Sequence, residues 1–370
     1  MKTRKGAPLR VGMVGCGKIS DAYFKGCRPY PHRIRFHACA DLDLGRARAK
    51  ACEHGVPRAC TTGELLLDPE IDIILNLTVP KVHAKINLMA LRAGKHVYCE
   101  KPFAMDCAEG RHVLAEAKRR KLKVGCAPDT VLGGGIQTCR KLIDAGAIGK
   151  AVAAISTFIC HGHESWHPDP EFYYQAGGAM YDMAPYGLTS LVTMLGPAKR
   201  VMASAKACFA TRTITSAPKR GEKIKVRVPT HETGIVEFVQ GTTATVTMSY
   251  DLWAHHQPVL EIYGSEGSLD CPDPNGFGGE VGLWTPKSGD WKKIPLTHNA
   301  EVGRGFGLAE MADAILHGRS PRASGEIGLH VLEIMQAFHQ SSKTGRAIVL
   351  KTSCKRPAPL KPRLPLGRLD

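Results

Sequence analysis

The sequence predicts an α/β fold: a doubly wound parallel sheet near the N-terminus, followed by an α+β domain with an open antiparallel sheet. Strand and helix patterns alternate over residues 9–127, as a parallel sheet with crossover helices requires. Beyond Gly149, strand patterns instead follow one another. Two of them, Glu232–Gln240 and Thr243–Trp253, are separated only by Gly241-Thr242, which indicates a hairpin. At 370 residues, the chain is long enough for two domains.

The first strand, Leu9–Val14, runs directly into a glycine-rich turn, Gly15-Cys16-Gly17-Lys18-Ile19-Ser20, and then into a helical pattern. Gly15 permits a tight turn, Gly17 lets the backbone approach a pyrophosphate, and the helix N-terminus attracts that anion. Ser20 replaces the usual third glycine but is small enough for close packing. We predict that Gly15, Gly17, Lys18 and Ile19 bind a dinucleotide, although an ordinary glycine turn would show the same pattern.

An acidic residue follows the second predicted strand, Arg35–Ala40. Asp41 lies about 20 residues after the glycines, where a carboxylate accepts hydrogen bonds from the adenosine ribose hydroxyls, and Asp43 competes with it for this role. Because a carboxylate repels a 2′-phosphate, NAD is favoured over NADP. NADP stays an alternative, because the positively charged Arg46 and Arg48 follow in the sequence. For Asp43, capping of the next helix is an equally good interpretation.

The other parallel strands also end in polar or proline-containing loops. Ligands bind at the carboxyl ends of such strands, so we predict cofactor contacts from Thr78, Pro80, Glu100 and Lys101, and a substrate contact from Asp129. His83 is interpreted either as structural or as close to the cofactor. The predicted strands are Ile71–Leu77, His96–Cys99 and Leu122–Cys126, and the predicted helices are Leu44–His54, about His83–Ala93 and Cys107–Lys121.

The chain is strongly basic, with a formal net charge of +16. Part of this excess lies at the two ends, in tails that are usually solvated or wrap a neighbouring subunit. Nucleic-acid binding would favour aromatic residues among the basic ones, and the C-terminal tail has none, so anionic substrates or cofactors explain the charge better. The terminal basic residues are Lys2, Arg4, Lys5, Lys351, Lys355, Arg356, Lys361, Arg363 and Arg368.

Thirteen cysteines occur without any CxxC pair, and their odd number argues against a disulfide framework or a zinc ribbon. We expect reduced, mostly buried thiols in a cytoplasmic protein. No apolar run is long enough to span a bilayer. The basic N-terminus leads straight into the first strand without a cleavage site, which argues against a signal peptide.

Further strands and helices are predicted in the second half of the chain. The domain boundaries that follow are 1–128 for the dinucleotide-binding domain, 129–352 for a substrate and oligomerisation domain, and 353–370 for a basic, Pro-rich tail. The additional strands are Ala151–His161, Lys199–Phe209 and Val259–Asp270, and the helices are about Ala179–Leu195, Gly307–His317 and Glu326–Ser341.

Three segments together resemble the glucose–fructose oxidoreductase and inositol dehydrogenase family, also called Gfo/Idh/MocA. They are the glycine turn, AGKHVYCEKPFA (Ala93–Ala104) and GGAMYDMAPYGLTSL (Gly177–Leu191), and a C-terminal segment, Gly305–Glu326, fits as well. The resemblance implies a Rossmann domain followed by an open antiparallel sheet, with a nicotinamide held between them. It also implies oxidation or reduction of sugars, cyclitols and related polyols.

The resemblance implies three catalytic residues. Lys101 matches the EKP lysine, which contacts the nicotinamide ribose and the substrate. Asp182 and Tyr186 match the helix motif GGGxxDxGxH, but Ala179 and Ala184 replace glycines and Tyr186 replaces the histidine. Because an ordinary tyrosine has a pKa of about 10 and is a poor proton acceptor near neutral pH, Lys101 is the better candidate base, and the positive charge of oxidised nicotinamide favours its neutral form. Asp182 would orient the reacting hydroxyl.

A second polar cluster, His161-Gly162-His163-Glu164-Ser165-Trp166-His167, follows the first strand of the second domain. Its histidine spacing could suit a metal, but the family uses none. A polyol site needs several hydrogen-bonding side chains and an aromatic platform, so His163, Trp166 and His167 are predicted to bind substrate. A solvated loop is the alternative.

These observations predict an NAD-dependent dehydrogenase of a sugar, glycoside or cyclitol hydroxyl, with Lys101 as the proton acceptor. The alternative is a glycosidase that oxidises, eliminates and reduces again on a retained cofactor. A regulatory NAD-binding protein would need neither Lys101 nor Asp182. We expect a homodimer or homotetramer, because an open sheet with helices on one face leaves an apolar face to cover.

Overall fold

The structure, a computed structural model, describes residues 7–370, which form two compact units. The first unit contains the chain up to Gln137, together with Leu296–Leu329 and Pro357–Asp370, and the second contains Thr138–Pro295 and His330–Arg356. The predicted continuous domains, 1–128 and 129–352, therefore need correction, because the chain returns twice to the first unit. Lys2, Arg4 and Lys5 lie outside the described residues.

The first unit is built on a parallel sheet, as predicted. Its strands are β1 (Leu9–Val14), β2 (Ile34–Ala40), β3 (Arg58–Cys60), β4 (Ile73–Asn76), β5 (His96–Cys99) and β6 (Val124–Cys126). The helices are α1 (Ser20–Cys27), α2 (Leu44–His54), α3 (Thr62–Leu67), α4 (His83–Arg92) and α5 (Cys107–Arg120). The strand order β3-β2-β1-β4-β5-β6 defines a Rossmann fold. The sequence patterns missed β3 and α3, which are short.

Local signals explain where several of these helices begin and end. The Asp43 carboxylate accepts hydrogen bonds from Gly45 N and Arg46 N at the start of α2, and Gly55 ends the helix with a φ of +67°. The capping interpretation is therefore correct for Asp43. Strand β4 is buried along its whole length, as a central parallel strand should be.

The second unit contains a nine-stranded sheet. Its strands are β7 (Ala151–Ile159), β8 (Ala198–Lys206), β11 (His231–Phe238), β12 (Thr243–Ser249), β13 (Leu260–Gly264), β14 (Ser268–Asp270), β15 (Val281–Trp284), β16 (Trp291–Ile294) and β17 (Ile348–Val349). Strands β9 (Thr211–Thr213) and β10 (Lys223–Lys225) form a separate pair. The sheet order is β16-β15-β14-β13-β7-β12-β11-β8-β17.

Two predictions for this sheet were wrong. The sheet is mixed rather than antiparallel, because β7 and β12 pair in parallel, from Thr243 opposite Ala153 to Ser249 opposite Ile159. The predicted single strand Val259–Asp270 is two strands, because Gly264 N donates to Gly267 O across a tight turn. Because β7 and β12 run in parallel, the loops that follow them leave the sheet at the same edge.

One face of this sheet is packed and the other is open. Helix α7 (Gly178–Leu195) contacts β7, β11 and β12. Val201, Val236 and Ala244 on the packed face are fully buried, whereas Met202 and Ile235, which pair with each other across β8 and β11, are 56% and 45% exposed. The open face thus carries exposed apolar side chains on adjacent strands.

The remaining helices are α6 (Gly134–Asp144), α8 (Phe306–Leu316) and α9 (Gly325–Thr344). The C-terminal tail is not a free, solvated segment: Leu360 is buried, its N–H donates to Gln137 Oε1, and its carbonyl oxygen lies 2.9 Å from His298 Nε2. Over residues 7–370, we find no helix whose length and apolar character would let it cross a membrane. All thirteen cysteines lie in this range and are free thiols, nine of them buried.

Candidate active site

The glycine turn between β1 and α1 has the form of an anion-binding corner. Gly15 has a φ of +97°, and a Cβ there would lie 2.6 Å from the Leu77 carbonyl oxygen, so only glycine fits. Around Gly17, by contrast, no heavy atom of residues 7–370 other than those of its chain neighbours lies within 4 Å of the place a Cβ would take. Ser20 is buried and donates a hydrogen bond to Gly17 O, which ties the helix to the turn.

The N-terminus of α1 has no side-chain cap, because Ile19 is its N-cap residue. Helix N–H groups without a capping side chain, next to an open glycine backbone, suit a pyrophosphate. Lys18 is exposed beside them. The residues present thus fit the dinucleotide predicted from the sequence.

Asp41 is fixed at the end of β2 by two backbone groups. Its Oδ2 accepts from Cys16 N at 2.8 Å, its Oδ1 accepts from Asp43 N at 3.0 Å, and only 10% of the side chain is exposed. A carboxylate offers about four acceptor positions, so two remain for ribose hydroxyls. The Arg46 guanidinium lies 3.6 Å from Asp41 Oδ1 and is half exposed.

Two loops at the carboxyl edge of the first sheet are joined by the buried side chain of His83. Its Nε2 lies 2.8 Å from Thr78 O and its Nδ1 lies 2.8 Å from Pro102 O. Carbonyl oxygens only accept, so both ring nitrogens must carry protons to make both hydrogen bonds. Burial lowers the pKa of His83, but the Cys99 sulfur and the two carbonyl groups raise it to about 9.

The loop that carries Thr78 is also held by hydrogen bonds of the Asn76 side chain. The Asn76 Oδ1 atom accepts from the Thr78 hydroxyl at 2.6 Å, and the Asn76 amide donates to Asn87 Oδ1 at 2.7 Å within the buried interior. Pro80 then begins a short 3-10 turn that leads into α4. The predicted structural interpretation therefore describes His83, and its closeness to the cofactor stays a prediction.

Lys101 lies between two fixed neighbours. Glu100 Oε1 accepts from the Tyr23 hydroxyl at 2.8 Å, and Glu100 Oε2 accepts from Lys101 N at 2.9 Å. On the other side, the carbonyl of Pro102 is held by His83. The Lys101 side chain is partly buried. The backbone that carries the lysine is therefore held on both sides by buried partners in the same unit.

The prediction for Asp129 was wrong. This residue is fully buried, and its Oδ2 accepts from Gly305 N at 2.8 Å and Gly307 N at 2.9 Å, at the start of α8. Burial raises the pKa of Asp129 to about 6, although those two N–H groups oppose the shift. Asp129 thus anchors α8 rather than facing a substrate, which its position after a strand could not reveal.

In the second unit, Asp182 on α7 lies next to two groups from the sheet edge. The Tyr250 hydroxyl donates to Asp182 Oδ2 at 2.7 Å, and His163 Nε2 lies 3.6 Å from the same oxygen. Burial and the neighbouring Asp182 raise the pKa of Tyr250 well above its ordinary value, so this hydroxyl stays a donor. Tyr250 is not among the site residues predicted from the sequence, although a Tyr-Asp pair at the end of a strand is a possible signal.

Tyr186 lies one helical turn after Asp182 and is 7% exposed. The next residue, Gly187, packs on β7 so closely that a Cβ would overlap the Ser156 hydroxyl. The alanine and tyrosine substitutions in the helix motif therefore leave α7 intact and closely packed. Whether Tyr186 takes part in catalysis stays a prediction.

A buried ion cluster supports the loop after β7. The Arg212 guanidinium donates to Glu164 Oε1 at 2.6 Å and to Asp251 Oδ1 at 2.9 Å, and its side chain is 4% exposed. Tyr174 also donates to Glu164, and Thr230 donates to Asp251 at 2.6 Å. Arg212 is not recognisable from the sequence, because it lies in a small strand pair far from the loop along the chain.

The other predicted substrate residues lie on the same loop. Trp166 is 58% exposed, and its ring contacts the rings of His163 and His167 edge to face. His167 Nδ1 accepts from Asp169 N at 3.0 Å. Nearby, His161 stacks on the exposed Trp253 with ring centroids 3.5 Å apart, and both line a cleft of about 570 Å³.

The Rossmann topology, the open glycine turn and the fixed Asp41 define an NAD-binding oxidoreductase. The chain belongs to the Gfo/Idh/MocA family. The model of the oxidoreductase family, NAD-binding Rossmann fold, matches residues 9–127, and the model of the GFO/IDH/MocA C-terminal domain matches residues 136–270. The family resemblance and the fold class predicted from the sequence are thereby confirmed, apart from the mixed character of the second sheet.

Named relatives are dehydrogenases and reductases. Trans-1,2-dihydrobenzene-1,2-diol dehydrogenase from Bos taurus is 27% identical over 306 residues, which cover 78% of this chain and 80% of the relative. The 1,5-anhydro-D-fructose reductase of Ensifer adhaerens is 25% identical over 83% of this chain and 88% of the relative. A levoglucosan dehydrogenase solved with NADH and L-sorbose shares the fold, with a TM-score of 0.81, 20% identity, and coverage of 94% of this chain and 100% of that one.

Proposed function

We propose that this protein is an NAD-dependent dehydrogenase that oxidises a hydroxyl of a sugar, glycoside or cyclitol, with Lys101 accepting the hydroxyl proton. The observation that carries the proposal is the support of the Lys101 backbone. Glu100 is held by Tyr23 and Pro102 is held by His83, so the lysine sits on a loop with little freedom. Such fixing of the residue that carries a proton-transfer group is what general-base catalysis needs.

The first unit would hold the cofactor. Gly15, Gly17, Lys18 and Ile19 would bind the pyrophosphate, and Asp41 would accept from the adenosine ribose hydroxyls. The strand-exit loops with Thr78, Pro80 and Glu100 would line the nicotinamide side. When bound, the nicotinamide supplies the hydride acceptor. Because Asp41 presents a negative charge to the ribose, NAD is expected to bind more tightly than NADP.

The second unit supplies groups suited to hydroxyls. Asp182 orients the reacting alcohol, and the loop with His163, Trp166 and His167 adds hydrogen-bonding and aromatic side chains. The names of the relatives support this chemistry, since a dihydrodiol, an anhydrofructose and levoglucosan all carry neighbouring oxygen functions. Lys101 takes the proton as the carbinol becomes a carbonyl, and returns it in the reverse direction.

The proposal is tested by absorbance at 340 nm with NAD and a panel of monosaccharides, cyclitols and glycosides. We expect NADH to accumulate in proportion to the substrate oxidised. Release of an aglycone without net NADH, from enzyme that copurifies with its cofactor, would instead establish the oxidation–elimination–reduction glycosidase. No NADH and no aglycone with any substrate would contradict both.

We also propose that the open sheet face joins copies of this chain in a homodimer or homotetramer. The paired Met202 and Ile235 place exposed apolar side chains on that face, which water disfavours. Light scattering at micromolar concentration should give at least a dimer, and Ile235→Glu should shift the mass towards the monomer. Val239→Glu, at an equally apolar but terminal position after β11, is the matched control and should leave the mass unchanged. A monomeric wild type would refute this assembly.

A further inference from the structure

The ring of His163 is buried but has no hydrogen-bond partner within residues 7–370. Only 6% of the residue is exposed, and neither Nδ1 nor Nε2 makes a hydrogen bond. Its neighbours are the rings of Trp166, Tyr173 and Tyr250, with centroids 5.2, 4.2 and 4.6 Å away. Unpartnered buried polar groups are few in folded proteins, so each one needs an explanation.

The backbone around this ring is held by hydrogen bonds. The His163 N–H donates to the Tyr174 hydroxyl, and its carbonyl oxygen accepts from the N–H groups of Trp166 and His167. The following residue, Glu164, is held by the buried Arg212. The fold thus fixes the backbone on which His163 lies and satisfies its main-chain groups, while the two ring nitrogens stay unsatisfied.

An acidic side chain, Asp182, lies next to this ring. Asp182 Oδ2 lies 3.6 Å from His163 Nε2, which is too long for a direct hydrogen bond. A hydroxyl oxygen about 2.7–2.9 Å from both atoms would be within hydrogen-bond distance of each, accepting from Nε2 and donating to the carboxylate. Asp182 keeps 18% of its side chain exposed, so a ligand can reach it.

We infer that His163 and Asp182 together bind a second, non-reacting hydroxyl of a polyol substrate, with His163 as donor and Asp182 as acceptor. A carboxylate has about four acceptor positions, so Asp182 can accept from this hydroxyl as well as from the reacting one. This deepens the proposed function and rests on it for the identity of the substrate class. A site built to hydrogen-bond a hydroxyl rejects the analogue that lacks it, because buried polar groups are then left unpaired. His163 would therefore set which deoxy sugars the enzyme refuses.

The test uses two variants. His163→Phe keeps an aromatic ring among its neighbouring aromatic side chains but removes both ring nitrogens, and His163→Gln supplies an amide group that can replace Nε2. Probes are D-glucose, D-xylose, D-galactose and myo-inositol with their monodeoxy derivatives. Probe binding is measured by calorimetry, without turnover, and KM and kcat are measured where a probe is oxidised. NAD affinity and Tm are recorded for every variant.

His330→Phe is the matched control. This histidine is also fully buried in the second unit, but both ring nitrogens have partners: Nε2 accepts from Ala198 N at 2.9 Å and Nδ1 lies 2.9 Å from the Thr352 hydroxyl. We expect His330→Phe to lower Tm and leave probe affinity unchanged. For His163→Phe we expect the reverse: an unchanged or higher Tm, at least tenfold weaker probe binding, and unchanged NAD affinity.

The deciding readout is discrimination between hydroxyl and deoxy probes. The wild type should reject one monodeoxy derivative, His163→Phe should bind that derivative and its parent equally well, and His163→Gln should restore part of the preference. Equal discrimination by wild type and His163→Phe would overturn the inference while leaving the dehydrogenase intact. Probe binding that depends on His163 without any NADH formation would support the inference and refute the proposed function. A wild type that binds none of the probes would overturn both.

Discussion

The groups proposed to face the cofactor and a group proposed to face the substrate differ in how they are paired. In the first unit, Asp41, His83 and Glu100 each hold at least two hydrogen bonds to groups of the same unit. In the second, His163 is buried, more deeply than Asp41 or Glu100, and both ring nitrogens lack hydrogen-bond partners in the part of the chain that the structure describes. Under the proposed function, the groups that would face the cofactor are set in advance by internal contacts, whereas His163 retains hydrogen-bonding capacity for a substrate.

This difference fits the two kinds of ligand. A dinucleotide presents the same pyrophosphate and ribose groups in every turnover, so a fixed carboxylate at Asp41 and an open backbone at Gly17 would suit it. A substrate hydroxyl must enter and leave repeatedly. Groups that are buried, held in place and unpaired gain most from such a hydroxyl, since its arrival removes the cost of their desolvation.

The largest expected effect concerns Lys101, the proposed base, which lies in the first unit. Lys101→Ala should lower kcat by roughly 10²–10⁴-fold, the range typical of a lost general base. Lys101→Arg should restore little, because a guanidinium stays protonated at working pH. Turnover of both variants against pH, with one good substrate, checks this. Recovery of most of the activity by arginine would show that Lys101 acts through its charge and not as a base.

The second largest expected effect concerns the free energy of unfolding. It compares Asp129 and Asp313, two buried carboxylates of the first unit. The raised pKa of Asp129, about 6, means that the native state binds its proton more tightly than the unfolded state does. The free energy of unfolding should therefore fall as pH rises from about 4 to 6, by at most about 3 kcal/mol. Asp129→Asn keeps an acceptor for Gly305 N and Gly307 N and should remove this dependence.

Asp313 is the control for that experiment. Although burial opposes the shift, its ion pairs with Arg33 and Arg319 lower the pKa of Asp313. Its contribution should therefore be present at neutral pH and lost as pH falls, the opposite sign to Asp129. Urea unfolding at several pH values measures both. A stability profile of Asp129→Asn that keeps the wild-type slope between pH 4 and 6 would contradict the assignment.

A smaller effect is expected at Tyr186. If this residue only assists Lys101, Tyr186→Phe keeps the buried ring and should reduce kcat only modestly, by about tenfold or less, with the pH–rate profile still governed by Lys101. Tyr186→His restores the commoner family motif and should move the basic limb towards neutral pH if the imidazole takes the proton. Loss of activity in Tyr186→Phe as complete as in Lys101→Ala, with NAD still bound, would reverse the two roles.

The sequence predicted best what local patterns determine. Helix α2 begins and ends at the predicted residues, because Asp43 caps it and Gly55 ends it, and β5 also matches its prediction. The glycine turn and Asp41 were recognisable because their spacing in the chain reflects one supersecondary unit. Most of the residues predicted to bind the cofactor belong to such local motifs.

Contacts between distant segments could not be predicted in this way. Tyr250 reaches Asp182 across 68 residues, and Arg212 reaches Glu164 across 48. Asp129 was assigned to the substrate because it follows a strand, but its carboxylate faces residues 176 and 178 positions later. The parallel pairing of β7 with β12 is also a long-range choice, which no turn signal between neighbouring strands records.

The most direct test of the central claim, that cofactor recognition belongs to the first unit and substrate recognition to the second, is a calorimetric titration with NAD and with NADP. It compares the wild type with Asp41→Ala and Asp182→Asn. We predict that the wild type binds NAD more tightly than NADP. Asp41→Ala should bind NAD at least tenfold more weakly, with a smaller difference in affinity between NAD and NADP. Asp182→Asn should bind NAD as tightly as the wild type does but lose turnover. NAD binding weakened as much by Asp182→Asn as by Asp41→Ala would contradict this division.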